Sequence, residues 1–213
     1  MFSSISNSQD ITDPDPLRFE SEIQTFLEFD SKNTPPQNAV LFVGSSSIRL
    51  WKTAISFSDY NVINRGFGGS HTSDLLYFYD SLIKVYDPEL IVLYIGENDI
   101  AAGKPMDQAL LDYKELVRRI RSDHPTAHTL FISIKASSSR WDDWGRMREF
   151  NERVREFSYQ TDRHHYIDMA TSLQNNQGLP DDRYFLEDRL HLNDLGYQVW
   201  NRLFIPFADS LLN

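Results

Sequence analysis

The chain contains no cysteine. That excludes a disulfide framework, thiolate zinc sites and a cysteine nucleophile together, and it suits a reducing compartment. No apolar run approaches the roughly 20 residues that span a bilayer. The opening residues also lack a basic stretch followed by an apolar core, so no secretory leader is expected. These absences point to a soluble, cytoplasmic protein. Cations are the minority charge: 21 Lys and Arg against 31 Asp and Glu give a formal net charge of −10. A nucleic-acid partner needs clustered Lys and Arg to neutralise phosphates. The basic group at hand, Arg118, Arg119 and Arg121, stands beside Asp112 and Glu115 in a helical pattern, which reads as a solvated helix face.

What is present is an ordinary globular balance, 40% apolar and 24% charged over 213 residues, enough to bury a core without covalent staples. Residues 1–15, polar and closing on Asp13-Pro14-Asp15, read as a flexible tail ahead of one domain over 16–213. Pro16 can open a helix to about Asp30, stopped by Asn33-Thr34-Pro35-Pro36. Short β-rich runs follow at 39–43, 62–64, 90–95 and 129–134, with a weaker one at 165–167. Their hydrophobicity is continuous rather than alternating, as in strands covered on both faces, which means a parallel sheet. Helical patterns lie at about 72–85, 106–123 and 142–160, and a last helix over 193–212 is expected to break near Pro206. Such alternation implies an α/β architecture, doubly wound around about five strands.

In open α/β sheets ligands bind beyond the carboxyl ends of the strands. The segments that should converge there are Gly44-Ser45-Ser46-Ser47, Arg65 to Ser70, Gly96-Glu97-Asn98-Asp99 and Lys135-Ala136-Ser137. All are small and rich in hydrogen-bonding groups. A serine at a strand-to-helix turn can act as a nucleophile if a base stands by, although serines also cap helices. His191 is the candidate base. Asp188, three residues earlier, can fold back to its Nδ1 and leave Nε2 free to take a proton; Asp194 is the rival orienting acid. Gly68-Gly69 can present a backbone N–H close to a substrate, and Asn98 a side-chain amide. The bland readings are a tight turn for the glycines and a cap for Asn98.

Four blocks together resemble the SGNH, or GDSL-like, hydrolases: Leu41 to Ile48, Gly66-Phe67-Gly68-Gly69-Ser70, Gly96-Glu97-Asn98-Asp99 and Asp188-Arg189-Leu190-His191. Their order and placement on strand ends make the resemblance specific over about residues 39–200. It implies a flavodoxin-like three-layer α/β/α sandwich and a serine esterase acting through an acyl-enzyme on a small-molecule ester. The resemblance makes Ser46 the nucleophile, Asp188 and His191 its acid and base, and the N–H groups of Ser46 and Gly69 with the Asn98 amide the oxyanion hole. It calls for no cofactor and no metal. Ser45 and Ser70 depart from the family pattern, where Asp is common; both are expected to brace their loops through side-chain hydrogen bonds.

Other residues are weighed beside this set. Lys135, Arg140 and His71 are candidate substrate contacts, with local ion pairs to Asp142 and Asp143, or capping, as the bland alternatives. Trp51, Trp141 and Trp144 either line an acyl pocket or pack. His164 and His165, near Asp162 and Asp168, form a poor metal site, and Asp99 is expected to brace Asn98. The competing reading is a catalytically silent flavodoxin-like binding or interaction protein with a phosphate at the serine loop. It lacks both a G-x-x-x-x-G-K-[ST] and a strand-linked G-x-G-x-x-G signature, and Ser46 standing out of hydrogen-bonding reach of His191 would favour it. The missing lid insertion between the blocks favours short acyl chains. Nothing in the sequence sets the oligomeric state, so a homo-oligomer stays open.

Overall fold

A computed structural model describes residues 13–212. Most of the expected tail, residues 1–12, lies outside the described residues. Five strands, β1 (Ala39–Gly44), β2 (Val62–Gly66), β3 (Pro88–Tyr94), β4 (His128–Ile132) and β5 (His164–Ile167), pair in parallel in the order β2-β1-β3-β4-β5. Among the described residues eight α-helices accompany them: α1 (Glu20–Lys32), α2 (Ser46–Arg49), α3 (Thr53–Ser56), α4 (Thr72–Tyr77), α5 (Glu97–Ala101), α6 (Met106–Asp123), α7 (Trp144–Tyr159) and α8 (Asp194–Leu212). This is the expected α/β sandwich, flavodoxin-like in its strand order.

The continuous hydrophobicity of the strands has the anticipated cause. Along β1, Ala39, Leu41 and Val43 enter one core with α1, α6 and α7, while Val40 and Phe42 enter a second core with α8. Alternate side chains point to opposite faces, so a strand buried on both sides must be apolar at every position. On α8, Trp200, Phe204 and Ala208 recur at helical spacing and are fully buried. Each large side chain there contributes roughly 1.5–3 kcal/mol of apolar burial.

Three expectations change. The helix over 72–85 divides into α4 and a π-helical turn, Asp80–Lys84. The last helix runs unbroken through Pro206. Pro206 and Arg202, whose carbonyl loses its partner, are both exposed, so water can take the freed acceptor. Finally, residues 13–15 belong to the folded body. Asp15 caps a 3₁₀ turn, Pro16–Phe19, and Asp13 pairs with Lys104 at 2.6 Å. In that turn Arg18 pairs with Asp74 at 2.5 Å, and the Phe19 ring packs edge-on against Phe67 at 4.9 Å.

Candidate active site

The site is built at the carboxyl edge of β1, β2 and β3. β1 ends at Gly44, where a Cβ would stand 2.1 Å from the Tyr94 carbonyl oxygen of β3; no larger residue fits without moving backbone. The chain then turns through Ser45 into α2, whose first residue is Ser46. Ser45 occupies the capping position, yet its side chain makes no capping hydrogen bond.

The Ser46 hydroxyl lies 2.9 Å from His191 Nε2. His191 Nδ1 lies 2.6 Å from Asp188 Oδ2. The other carboxylate oxygen, Oδ1, accepts from the backbone N–H groups of Leu190 and His191, each at 2.9 Å. The three-residue spacing is thus a closed local turn that holds the carboxylate and the ring it orients. Burial pushes the Asp188 carboxyl up, but the bonds from the imidazole and the two amides outweigh it and hold the group down at about 2. The rival acid, Asp194, instead pairs with Lys52 at 3.0 Å.

Gly69 lies in the loop after β2 with φ +81°, a left-handed conformation that favours glycine, and open space surrounds the point where a Cβ would be. Asn98 opens into the same region from α5: its Nδ2 donates to the Ser70 carbonyl at 2.9 Å, and its Oδ1 accepts from Arg140 Nη2 at 2.9 Å. Ser70 therefore braces Asn98 through its backbone. Its hydroxyl is buried without a partner among the described residues, contrary to the expected side-chain brace. Asp99 does not brace Asn98 either; it accepts from the Thr72 N–H at 3.1 Å and faces Lys104 at 3.4 Å.

Lys135 is corrected most. It is 1% exposed, and its ammonium reaches Glu97 Oε2 at 2.9 Å, Tyr94 OH at 3.1 Å and Ser47 Oγ at 3.3 Å. All its donors are engaged inside the protein, so it does not face a substrate, and its partner is Glu97 rather than Asp142 or Asp143. Burial pulls the ammonium below its ordinary value, against the pull of Glu97. Glu97 itself is driven up by burial, and the charges of Lys135 and Arg140 more than reverse this, leaving it below the usual carboxylate range. Glu97 was missed in the sequence. The available signal was a pair of opposite charges placed just past the buried runs of two adjacent strands.

His71 is buried at the start of α4, and its Nδ1 has no partner among the described residues. Its ligand atoms lie within 4.8 Å of those of Asp13 and Asp99, but the Lys104 ammonium already sits against both carboxylates. A cation there would have to displace a lysine. Nor do His164 and His165 share a ligand set. His164 meets the Tyr113 hydroxyl at 3.1 Å and His165 meets His128 at 2.8 Å. Trp51 is core, its Nε1 donating to Asn201 Oδ1 at 2.8 Å. Trp141 and Trp144 line a cavity of about 510 Å³ with Asn151, Asp168 and Gln174, which none of Ser46, Asp188 and His191 lines.

Residues 49–199 match the GDSL-like Lipase/Acylhydrolase family. The chain belongs to that family. It is accordingly an enzyme of the ester-hydrolysing type. The matched stretch begins three residues after Ser46, so it takes in Gly69, Asn98, Asp188 and His191 but not Ser46 itself. Among solved structures, a Streptococcus pneumonia protein provisionally named a platelet activating factor is 23% identical with a TM-score of 0.79, over 92% of this chain and 94% of that one. A GDSL-like lipase from Bacteroides thetaiotaomicron is 14% identical with a TM-score of 0.78, over 89% and 98%. An acetylxylan esterase from Geobacillus stearothermophilus is 14% identical with a TM-score of 0.66, over 82% and 95%. These likenesses show the fold. No curated protein matches the chain. Among the described residues, no helix is long and apolar enough to cross a membrane.

Proposed function

We propose that this GDSL-like protein is a serine esterase for short-chain carboxylic esters, working through an acyl-enzyme on Ser46. The observation that carries the reading is the unbroken chain from Asp188 Oδ2 to His191 Nδ1 at 2.6 Å and from His191 Nε2 to Ser46 Oγ at 2.9 Å. Such a chain fixes the tautomer, so Nε2 is free to accept the serine proton as Oγ attacks the carbonyl. The developing oxyanion is received by the N–H groups of Ser46 and Gly69 and by Asn98 Nδ2. His191 then returns the proton to the leaving alcohol. Water repeats the sequence on the acyl-enzyme, and Asp188 stays ionised throughout. The substrate is a small-molecule ester. The acetyl ester chemistry of the Geobacillus relative and the lack of a lid insertion in the sequence both favour short acyl groups.

The test is hydrolysis of p-nitrophenyl esters from acetate to palmitate by the wild type beside Ser46→Ala. Turnover fastest on acetate or butyrate, and lost by roughly 10⁴-fold or more in the variant, is the expected result. Equal turnover by both proteins removes Ser46 as nucleophile. Inactivity of both on every ester favours the silent binding protein, and faster palmitate turnover overturns the short-chain preference.

A further inference from the structure

Beside the Asn98 amide lies a buried charge cluster that takes no part in the proton transfers above. Glu97, 3% exposed, is its hub. Its Oε2 accepts from Tyr94 OH at 2.7 Å and Lys135 Nζ at 2.9 Å, and its Oε1 faces Arg140 Nη1 at 3.5 Å. One member of the cluster reaches the site: Arg140 Nη2 donates to Asn98 Oδ1 at 2.9 Å. At the other end of the same amide, Nδ2 donates to the Ser70 carbonyl at 2.9 Å. A guanidinium can only donate and a carbonyl can only accept. Only one of the two amide orientations satisfies both neighbours. In that orientation the NH₂ end lies against the Gly69–Ser70 loop, and its second hydrogen has no partner among the described residues. The flipped amide would turn a carbonyl oxygen to the place where an oxyanion must be received.

We infer that Arg140, anchored on Glu97, is a positioning residue that locks the Asn98 amide with its donor end towards the oxyanion. The inference rests on the reading of Asn98 as an oxyanion donor. The amide torsion is intrinsically broad, so a fixed external donor is what selects one orientation. Lys135 supports the anchor from within by neutralising Glu97. The backbone is shaped for the task. Within the 3₁₀ turn Ser138–Asp143, Arg140 departs from helical geometry (φ −123°, ψ 29°). The preceding residue, Ser139, donates its N–H to the Arg189 carbonyl at 3.2 Å. One turn thus touches both the oxyanion side and the loop that carries Asp188 and His191.

The experiment is a double-mutant cycle on the full chain. It reads the bimolecular rate at which a small fluorophosphonate labels Ser46, because the phosphoryl oxygen of that probe enters the same oxyanion site whatever the natural ester is. Asn98→Ala is expected to slow labelling roughly 10²-fold. Arg140→Ala should slow it about tenfold or more alone, yet add nothing in the Asn98→Ala background, since it acts only through that amide. Free guanidinium ion should restore part of the rate to Arg140→Ala and none to the double variant, and p-nitrophenyl acetate turnover should lose kcat rather than raise KM. Should Arg140→Ala misfold, Arg140→Met, which keeps the stem and drops the guanidinium, takes its place in the cycle. An Arg140 effect of equal size with and without Asn98, or no effect at all, overturns the inference while the oxyanion reading stands. An Asn98→Ala variant that labels as fast as wild type overturns that reading, and the inference with it.

Discussion

Asp188 holds His191 at two points, its Oδ2 on the ring at 2.6 Å and its Oδ1 on the backbone N–H at 2.9 Å. Orientation of the imidazole is therefore built into one turn of chain and does not depend on a distant loop. Asp188→Asn keeps the shape but removes the charge and the acceptor that fix the tautomer. It should lower kcat on p-nitrophenyl acetate by about 10⁴-fold, with circular dichroism unchanged. The folded carboxyl is depressed to about 2, below its unfolded value of about 3.9. Its stabilising contribution is thus fully present above the unfolded value and is lost as pH falls through the folded one.

Two glycines of the site should respond differently to alanine. At Gly44 a Cβ would meet the Tyr94 carbonyl oxygen at 2.1 Å, and both partners are backbone of paired strands. Gly44→Ala should cost about 3 kcal/mol or more, read from urea unfolding. At Gly69 nothing blocks a Cβ, and only the φ of +81° is unfavourable. Gly69→Ala should cost about 1–2 kcal/mol of backbone strain and leave a folded protein with reduced turnover.

The Glu97–Lys135 pair is nearly sealed, with side-chain exposures of 4% and 1%. Breaking such a pair leaves an uncompensated charge, typically at about 3–5 kcal/mol, whereas replacing both partners can be near neutral. Lys135→Met should therefore lower the urea midpoint sharply. Adding Glu97→Gln to it should recover most of the loss, and the same double variant should still be slow because Arg140 has lost its anchor.

Acid sensitivity between pH 7 and pH 4 should come from His164, at the start of β5. Burial, 3% exposed in the structure, pushes His164 down from 6.5 to about 4. Between those values the unfolded chain binds a proton that the folded one refuses, so stability falls as pH drops from about 6.5 to about 4 and levels off below. The shift corresponds to roughly 3 kcal/mol. His128 and His165, also lowered by burial, act in the same direction. Urea midpoints measured from pH 7 to pH 4 should show the decline, and His164→Gln, which still offers Tyr113 a neutral partner, should flatten it.

The strands were legible because a sheet buried on both faces leaves continuous apolar runs, as in Leu90 to Ile95. The residues on the strand ends were legible because chemistry restricts them to Ser, Gly, Asn, Asp and His. Ser46, Asp188 and His191 were named from the sequence and lie in hydrogen-bonding contact. Tertiary placement was not legible. Lys135 reads locally as a substrate contact or as a partner of Asp142 and Asp143, since nothing local shows that Glu97, on another strand end, takes its charge. Ser70 was expected to act through its hydroxyl, but its backbone carbonyl does the holding, and a carbonyl is present whatever the residue. Pro206 was expected to stop α8, but an exposed helix face lets water replace the missing bond.

The short stretch from Asp13 to Phe19 carries none of the family's blocks, yet Arg18 grips Asp74, Phe19 leans on Phe67 and Asp13 meets Lys104. Phe67 sits two residues before Gly69, and Asp74 caps the helix that follows it. The loop that carries Gly69 is thus clasped by residues 13–19. A protein shortened to begin at Glu20 would keep every residue of the proposed chemistry and lose the clasp, so its defect would be one of loop register, mended by supplying the missing peptide in trans.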